Sequence, residues 1–129
     1  MEGSGRRTAN NPVLIVVDDD AAVRNALKFL LEMEGYAVRT YSDGLELLNE
    51  PQLPPGSCLV MDYKLPGING LEAIARLRER YGRLHAILVT THPSTKVVRH
   101  AREANVPIVE KPLLEDALLK EIRAAAACS

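Results

Sequence analysis

Residues 13–24 read VLIVVDDDAAVR. The first five are apolar and four of them are β-branched, a run too short for a helix and suited to a fully buried strand. Three aspartates follow without a break. A buried strand ending in concentrated negative charge requires something positive nearby, because adjacent carboxylates otherwise raise one another's pKa until one takes up a proton. Asp20 before Ala21, Ala22 and Val23 is also a helix start, its carboxylate placed to cap the first free N–H groups. Strand, acidic turn and helix therefore succeed one another within twelve residues.

The same alternation extends outward through the chain. Val23, Ala26, Leu27, Leu30 and Leu31 keep helical spacing up to Gly35, so the first helix is expected over residues 20–34. Residues 36–41, YAVRTY, alternate as a second strand, and residues 43–49 form a short helix with Asp43 as its cap. After the proline-rich loop EPQLPPG, residues 57–61 read as a third, fully apolar strand. Leu71, Ile74, Ala75 and Leu77 mark a helix over 69–81 that Gly82 ends. A fourth strand is expected at 86–90 with a helix at 94–104, and a fifth at 106–110 with a last helix at 113–125. Five strands alternating with five helices specify an α/β fold, a parallel sheet with helices on both faces. Right-handed crossovers make it a doubly wound sheet. Pro107 lacks the N–H that a ladder needs, which puts the fifth strand at an edge. The flavodoxin-like order 2-1-3-4-5 meets that condition.

Length and composition set further bounds. The 129 residues, 47% hydrophobic and 26% charged, suit one ordered domain at 12–125. Residues 1–11 are expected to be a flexible tail and 126–129 a C-terminal tail. Sixteen basic and seventeen acidic side chains give a formal charge of −1, which favours neither nucleic acid nor an anionic membrane as a partner. Cys58 and Cys128 show neither a disulfide framework nor metal-ligand spacing. No apolar run has the length of a membrane span or the form of a signal peptide, so a cytoplasmic location is expected.

The unusual polar residues close the strands. Asp18, Asp19 and Asp20 follow the first, Asp62 the third, Thr90 the fourth and Lys111 the fifth. Open parallel sheets bind ligands at this carboxyl edge, and in the order 2-1-3-4-5 the crevice opens between strands one and three. Singly, each residue has an ordinary reading: a helix cap, a turn aspartate, a loop hydroxyl, a solvated amine. Jointly, Asp18, Asp19 and Asp62 would repel one another by about 3–4 kcal/mol per pair at a separation of about 4 Å. A hard divalent cation relieves that repulsion, and Mg²⁺, which binds through few carboxylates and a phosphate, fits best. Lys111 and Thr90 then face a metal-bound carboxylate as a cradle for phosphoryl oxygens, with Asp62 as the nucleophile.

The motifs VVDDD, MDYKLPGINGLE, ILVTT and VEKPL, in this order and spacing, resemble the receiver domain of bacterial two-component response regulators across residues 13–125. The resemblance implies that Asp62 accepts a phosphoryl group from a sensor histidine kinase or phosphotransfer protein. It also implies that Asp19 and Asp62 bind Mg²⁺ directly, that Asp18 acts through water, and that the carbonyl of Lys64 completes the site. Thr90 would reorient towards the phosphoryl group and Lys111 would pair with it. The Lys111–Pro112 bond resembles one that is typically cis in the family. A homodimer is compatible with the resemblance. The family's aromatic residue three positions before the lysine is here Ile108, which shifts the expected switch towards the fourth helix or the loop THPSTK. Lys64 and His92 occupy positions that influence hydrolysis of the aspartyl phosphate.

Two other readings compete. A haloacid-dehalogenase-type phosphatase also uses an aspartyl phosphate, and residues 18–20 contain a D-x-D, but such enzymes need a cap or further acidic motif and the chain ends in AAAACS. A phosphorylation-independent interaction domain of the same fold would have no use for the acidic pair, Asp62, Thr90 and Lys111 together. A non-enzymatic phosphoacceptor domain is the expectation.

Overall fold

The computed structural model describes residues 11–111 and 115–127. Five strands alternate with five helices: β1 Leu14–Val17, α1 Ala21–Met33, β2 Val38–Tyr41, α2 Gly44–Leu48, β3 Cys58–Asp62, α3 Gly70–Tyr81, β4 His85–Thr90, α4 Thr95–Glu103, β5 Ile108–Glu110 and α5 Glu115–Ala127. All strand pairs are parallel and the order is 2-1-3-4-5, as the sequence predicts. The N-terminal residues expected to form a tail lie almost wholly outside the described residues. The last helix continues to Ala127, two residues into the expected C-terminal tail.

Alternation along the strands divides the core into two. Ile15, Val17, Leu59, Met61 and Leu88 face α2, α3 and α4 through Leu47, Ile74, Leu77 and Ala101. Leu14, Val16, Val60, Ile87 and Val109 face α1 and α5 through Leu27, Leu31, Leu118 and Ile122. The central strands β1 and β3 are buried along their whole length, the unbroken apolar pattern of strands covered on both sides. Cys58 lies in this interior as a free thiol, and burial pushes its pKa up to about 12, so it packs as an inert apolar group.

Helix starts follow the polar residues that precede them. Asp20, Asp43, Asn69 and Ser94 each cap the next helix with a side-chain oxygen. The helix faces are narrower than the periodicity predicts. On α1 only Leu27 and Leu31 are buried, and Ala26 and Leu30 are exposed. On α3 Ala75 is exposed while Gly70 and Ala73 take the inner positions. A sheet face touches a helix along a narrow stripe of i, i+3 and i+4 positions, and residues at the flanks of a wider stripe stay in solvent.

The sheet edge agrees with the proline. Pro107 immediately precedes β5, an edge strand, and its carbonyl still accepts the N–H of Leu88 at 2.9 Å. Among the described residues no helix is long and apolar enough to cross a membrane.

Candidate functional site

The site is built from the strand ends. β1 and β3 pair in register, Val17 opposite Met61, so the residues after them, Asp18 and Asp62, emerge side by side. β4 pairs with β3 on its other side, Asp62 opposite Val89, and β5 with β4, Thr90 opposite Glu110. Lys111, the next residue, donates its N–H to the carbonyl of Thr90 at 2.8 Å. Four consecutive neighbours in the sheet thus deliver two aspartates, a threonine and a lysine to one edge.

Carboxylate oxygens of Asp18, Asp19 and Asp62 lie within 4.8 Å of one another. Asp18 and Asp62 are 3% and 6% exposed, whereas Asp19 stands in solvent. Nζ of Lys111 bridges the two buried carboxylates, 3.4 Å from Oδ2 of Asp18 and 3.3 Å from Oδ2 of Asp62. Three carboxylates and one ammonium leave two negative charges uncompensated, the charge of one divalent cation. All donors are hard oxygens, and Asp19 leaves one side open to water, so the residues fit Mg²⁺.

The electrostatics point the same way. Burial raises the pKa of Asp62, and the charge of Asp18, with a smaller contribution from Asp19, raises it further against the opposing pull of Lys111. For Lys111 burial alone would lower the pKa, but Asp62 and Asp18 outweigh it and hold the ammonium above its ordinary range. Lys111 therefore stays charged throughout neutral pH, while ionised Asp62 is held at a cost.

The carboxylates are not equivalent. Asp18 has both oxygens engaged, Oδ1 by the N–H of Asp20 at 2.9 Å and Oδ2 by Lys111. Asp62 engages Oδ2 with Lys111, and among the described residues none donates to its Oδ1 or to Asp19. Asp19 and Oδ1 of Asp62 thus keep carboxylate oxygens without a donor among the described residues, whereas both oxygens of Asp18 are engaged. Thr90 is 3% exposed at the same edge. Lys64, two residues after Asp62, has its side chain in solvent. His92 is exposed and holds a left-handed backbone, φ 46°, in the loop after β4. Ile108 is half-buried and packs against the α3 side of the core. The Lys111–Pro112 bond lies outside the described residues.

Two contributors carried no mark in the sequence reading. Gly70 opens α3 so close to β3 that a Cβ there would overlap the carbonyl oxygen of Asp62 and meet Leu88 and Met61 at 3.0 Å. Its N–H also donates to the carbonyl of Tyr63 at 2.8 Å. Only its place in the motif PGINGLE hinted at it. Gly70→Ala is expected to displace the end of β3 and lower stability by about 1–3 kcal/mol, read as a lower urea midpoint at unchanged slope. A midpoint equal to that of the wild type would show that the turn relaxes freely. The second contributor is Arg24, whose guanidinium reaches the carbonyl of Asp18 at 2.7 Å.

Comparison with known proteins matches residues 14–123 to the family model of the response regulator receiver domain. Transcriptional regulatory protein FixJ of Bradyrhizobium diazoefficiens is 32% identical over 114 residues, 87% of this chain and 55% of FixJ. The C4-dicarboxylate transport transcriptional regulatory protein DctD of Pseudomonas aeruginosa is 33% identical over 113 residues, 87% of this chain and 24% of DctD. The chain therefore spans about half the length of the first relative and a quarter of the second. Among solved structures, FixJ-N superposes with a TM-score of 0.80 at 26% identity, covering 91% of this chain and 94% of FixJ-N. A CheY-like receiver domain protein from Methanospirillum hungatei JF-1 gives a TM-score of 0.82 at 26% identity, covering 91% of this chain and 94% of that one.

Proposed function

The chain belongs to the response regulator receiver domain family, and from that premise we propose that Asp62 is its phosphoryl acceptor, with Asp18, Asp19, Thr90 and Lys111 as the supporting groups. The observation that carries this reading is the ammonium of Lys111 seated between Asp18 and Asp62 in a carboxylate cluster that still lacks two positive charges. A salt bridge that only stabilised the fold would have no reason to gather a third carboxylate beside it.

The donor is a phosphohistidine of a sensor kinase or phosphotransfer protein, or a small acyl phosphate. A carboxylate oxygen of Asp62 attacks phosphorus, and the bond from phosphorus to the leaving atom breaks. The electron pair departs with that atom, an imidazole nitrogen in the phosphohistidine case, which is protonated from solvent. Asp62 remains as an acyl phosphate. Lys111 is already in reach of the Asp62 carboxylate and moves its charge onto an incoming phosphoryl oxygen. The hydroxyl of Thr90 donates to another oxygen, and Asp18 holds Lys111 from behind. Asp19, Asp62 and the carbonyl of Lys64 would hold Mg²⁺, with Asp18 acting through water. Bound there, the ion supplies a Lewis-acid counter-charge to the transferred group. The domain turns over no external substrate; it catalyses only its own phosphorylation and dephosphorylation.

Ile108 sits where an aromatic residue would otherwise follow the threonine inward. Being half-buried and shorter, it leaves the conformational output to α4 and the loop before it.

Incubation with Mg²⁺ and a small phosphodonor is expected to add the mass of one phosphoryl group per chain, and chelation of Mg²⁺ to prevent it. Intact-mass spectrometry reads both. Addition at an undiminished rate without Mg²⁺, or no addition from any phosphoramidate or acyl phosphate donor, would overturn the assignment.

A further inference from the structure

Arg24 stands one turn into α1, outside the carboxylate cluster, yet it reaches back to the turn that carries two of the three acidic groups. Its Nη1 donates to the carbonyl of Asp18 at 2.7 Å. The turn is also held on either side of Asp19. The N–H of Asp18 is held by the carbonyl of Tyr41 at 3.2 Å on the neighbouring strand β2. The side chain of Asp18 receives Asp20 N–H at 2.9 Å, and Asp20 in turn caps α1 through Ala22 N–H at 2.9 Å. Asp19, between them, has neither a backbone nor a side-chain partner among the described residues. Of the two polar groups of the peptide that joins Asp18 to Asp19, the N–H has no partner among the described residues, and the carbonyl is held by the guanidinium of Arg24.

We propose that Arg24 is a positioning residue for the cation site: by anchoring the Asp18 carbonyl it fixes the peptide plane that aims the Asp19 carboxylate at Asp62. The proposal rests on the reading of Asp19 and Asp62 as cation ligands. A guanidinium is suited to the task, since its charge-assisted bond to a carbonyl is short and its planar fork leaves little torsional play. Half-buried, it is shielded from competing water on one side.

Two roles for Arg24 predict effects of opposite sign, which makes the proposal testable. If Arg24 acted only as a positive charge near the acidic cluster, it would repel Mg²⁺, and its removal would tighten binding. If it positions the turn, its removal loosens the Asp19 carboxylate and weakens binding, as loss of a group that orients a metal ligand does, by about 10-fold to 100-fold.

The experiment titrates Mg²⁺ into the wild-type chain, Arg24→Met, Arg24→Lys and Asp19→Asn. Binding is followed by the tyrosine fluorescence that Tyr63, adjacent to Asp62, contributes, and by isothermal calorimetry. Melting temperatures without Mg²⁺ are recorded alongside. The expected result is a Kd about 10-fold or more weaker in Arg24→Met, with Arg24→Lys between it and the wild type, because lysine keeps a charged donor of shorter reach. Should Arg24→Met melt lower than the wild type, Arg24→Lys at wild-type melting temperature carries the test, its Kd expected to be weaker by a smaller factor. Unchanged or tighter Mg²⁺ binding in Arg24→Met overturns the positioning role. Wild-type binding that Asp19→Asn leaves unaltered would instead overturn the cation site itself, a separate failure visible in the same titration.

Discussion

Asp62→Asn is expected to take up no phosphoryl group where the wild-type chain takes up one, and with Mg²⁺ chelated to melt at a higher temperature than the wild type. Both outcomes come from one carboxylate. The amide is a poor nucleophile and cannot form the acyl phosphate, so the loss of uptake is complete rather than partial. The amide also carries no charge, and the wild-type carboxylate is held 6% exposed beside the charge of Asp18. Removing that repulsion while Lys111 keeps Asp18 as a partner is expected to add about 1–2 kcal/mol, or roughly 3–8 °C in melting temperature for a domain of this size. Groups that serve a reaction are often held at such a cost to the fold.

The pH dependence fixes the sign. The folded chain binds a proton at Asp62 more readily than the unfolded chain does, because burial and Asp18 raise its pKa above the ordinary 3.8. Stability contributed by protonated Asp62 is therefore present at low pH and lost as the pH rises through the raised folded value. The melting advantage of Asp62→Asn should be small near about pH 4 and grow towards neutrality. Calorimetric melts at several pH values in chelator measure it. An advantage that is constant with pH, or a variant that melts below the wild type, would mean that Asp62 is not under electrostatic strain. A variant that still gains a phosphoryl group would move the acceptor elsewhere.

Lys111→Ala is expected to have the opposite effect on stability and a similar direction for function. Its ammonium is the neutralising partner of two carboxylates that are 4% and 8% exposed at their side chains. Taking away one partner of a buried pair costs about 3–5 kcal/mol, and because Lys111 is 26% exposed and water can enter in its place, about 2–3 kcal/mol is expected. Saturating Mg²⁺ should recover much of the loss, since the cation supplies charge to the same carboxylates, and about 2.7 kcal/mol is available at a concentration a hundred times its Kd. Phosphoryl uptake should slow by about 10²–10³-fold, the usual effect of deleting one preorganised donor to a developing oxyanion. In the wild type the stabilisation by Lys111 is present below its ordinary 10.5 and is lost only as the pH rises through a still higher folded value. Alkaline melts of wild type and variant should therefore converge. Uptake at the wild-type rate in Lys111→Ala, with chemical denaturation unchanged, would reduce Lys111 to a surface amine.

Opposite stability effects from two residues 3.3 Å apart would also separate electrostatics from packing. If the site were an ordinary structural ion pair, breaking it from either side would destabilise the chain.

Much of this was legible in the chain itself. The β-branched run at 13–17 had one stable environment, a strand covered on both faces, and Pro107 excluded an interior position for the last strand. Asp20 and Asp43 announced the caps of the first two helices, since their short side chains bond to the free N–H groups where a helix begins. The site residues were legible for a topological reason. In a parallel sheet every strand ends at the same edge, so polar residues closing successive strands converge however far apart they lie in the chain.

Other features had no local signature. The breadth of the apolar stripe on α1 did not foretell that Ala26 and Leu30 would stay exposed, because burial depends on the width of the opposing surface and not on the helix. Arg24 looked like any charged residue on an amphipathic helix. Its bond to Asp18 exists only because α1 folds back along β1.

By itself the sequence determined the order of strands and helices, the parallel sheet and the identities of the residues at its carboxyl edge. These follow from periodicity, chain stiffness at proline and the handedness of crossovers, all of which act over a few residues at a time. Only the tertiary structure decided which oxygen of Asp18 meets Lys111, which oxygen of Asp62 stays open, and how closely Gly70 must approach β3. Those depend on distances of a few tenths of an ångström between segments dozens of residues apart, and such distances are set by the packing of the whole core.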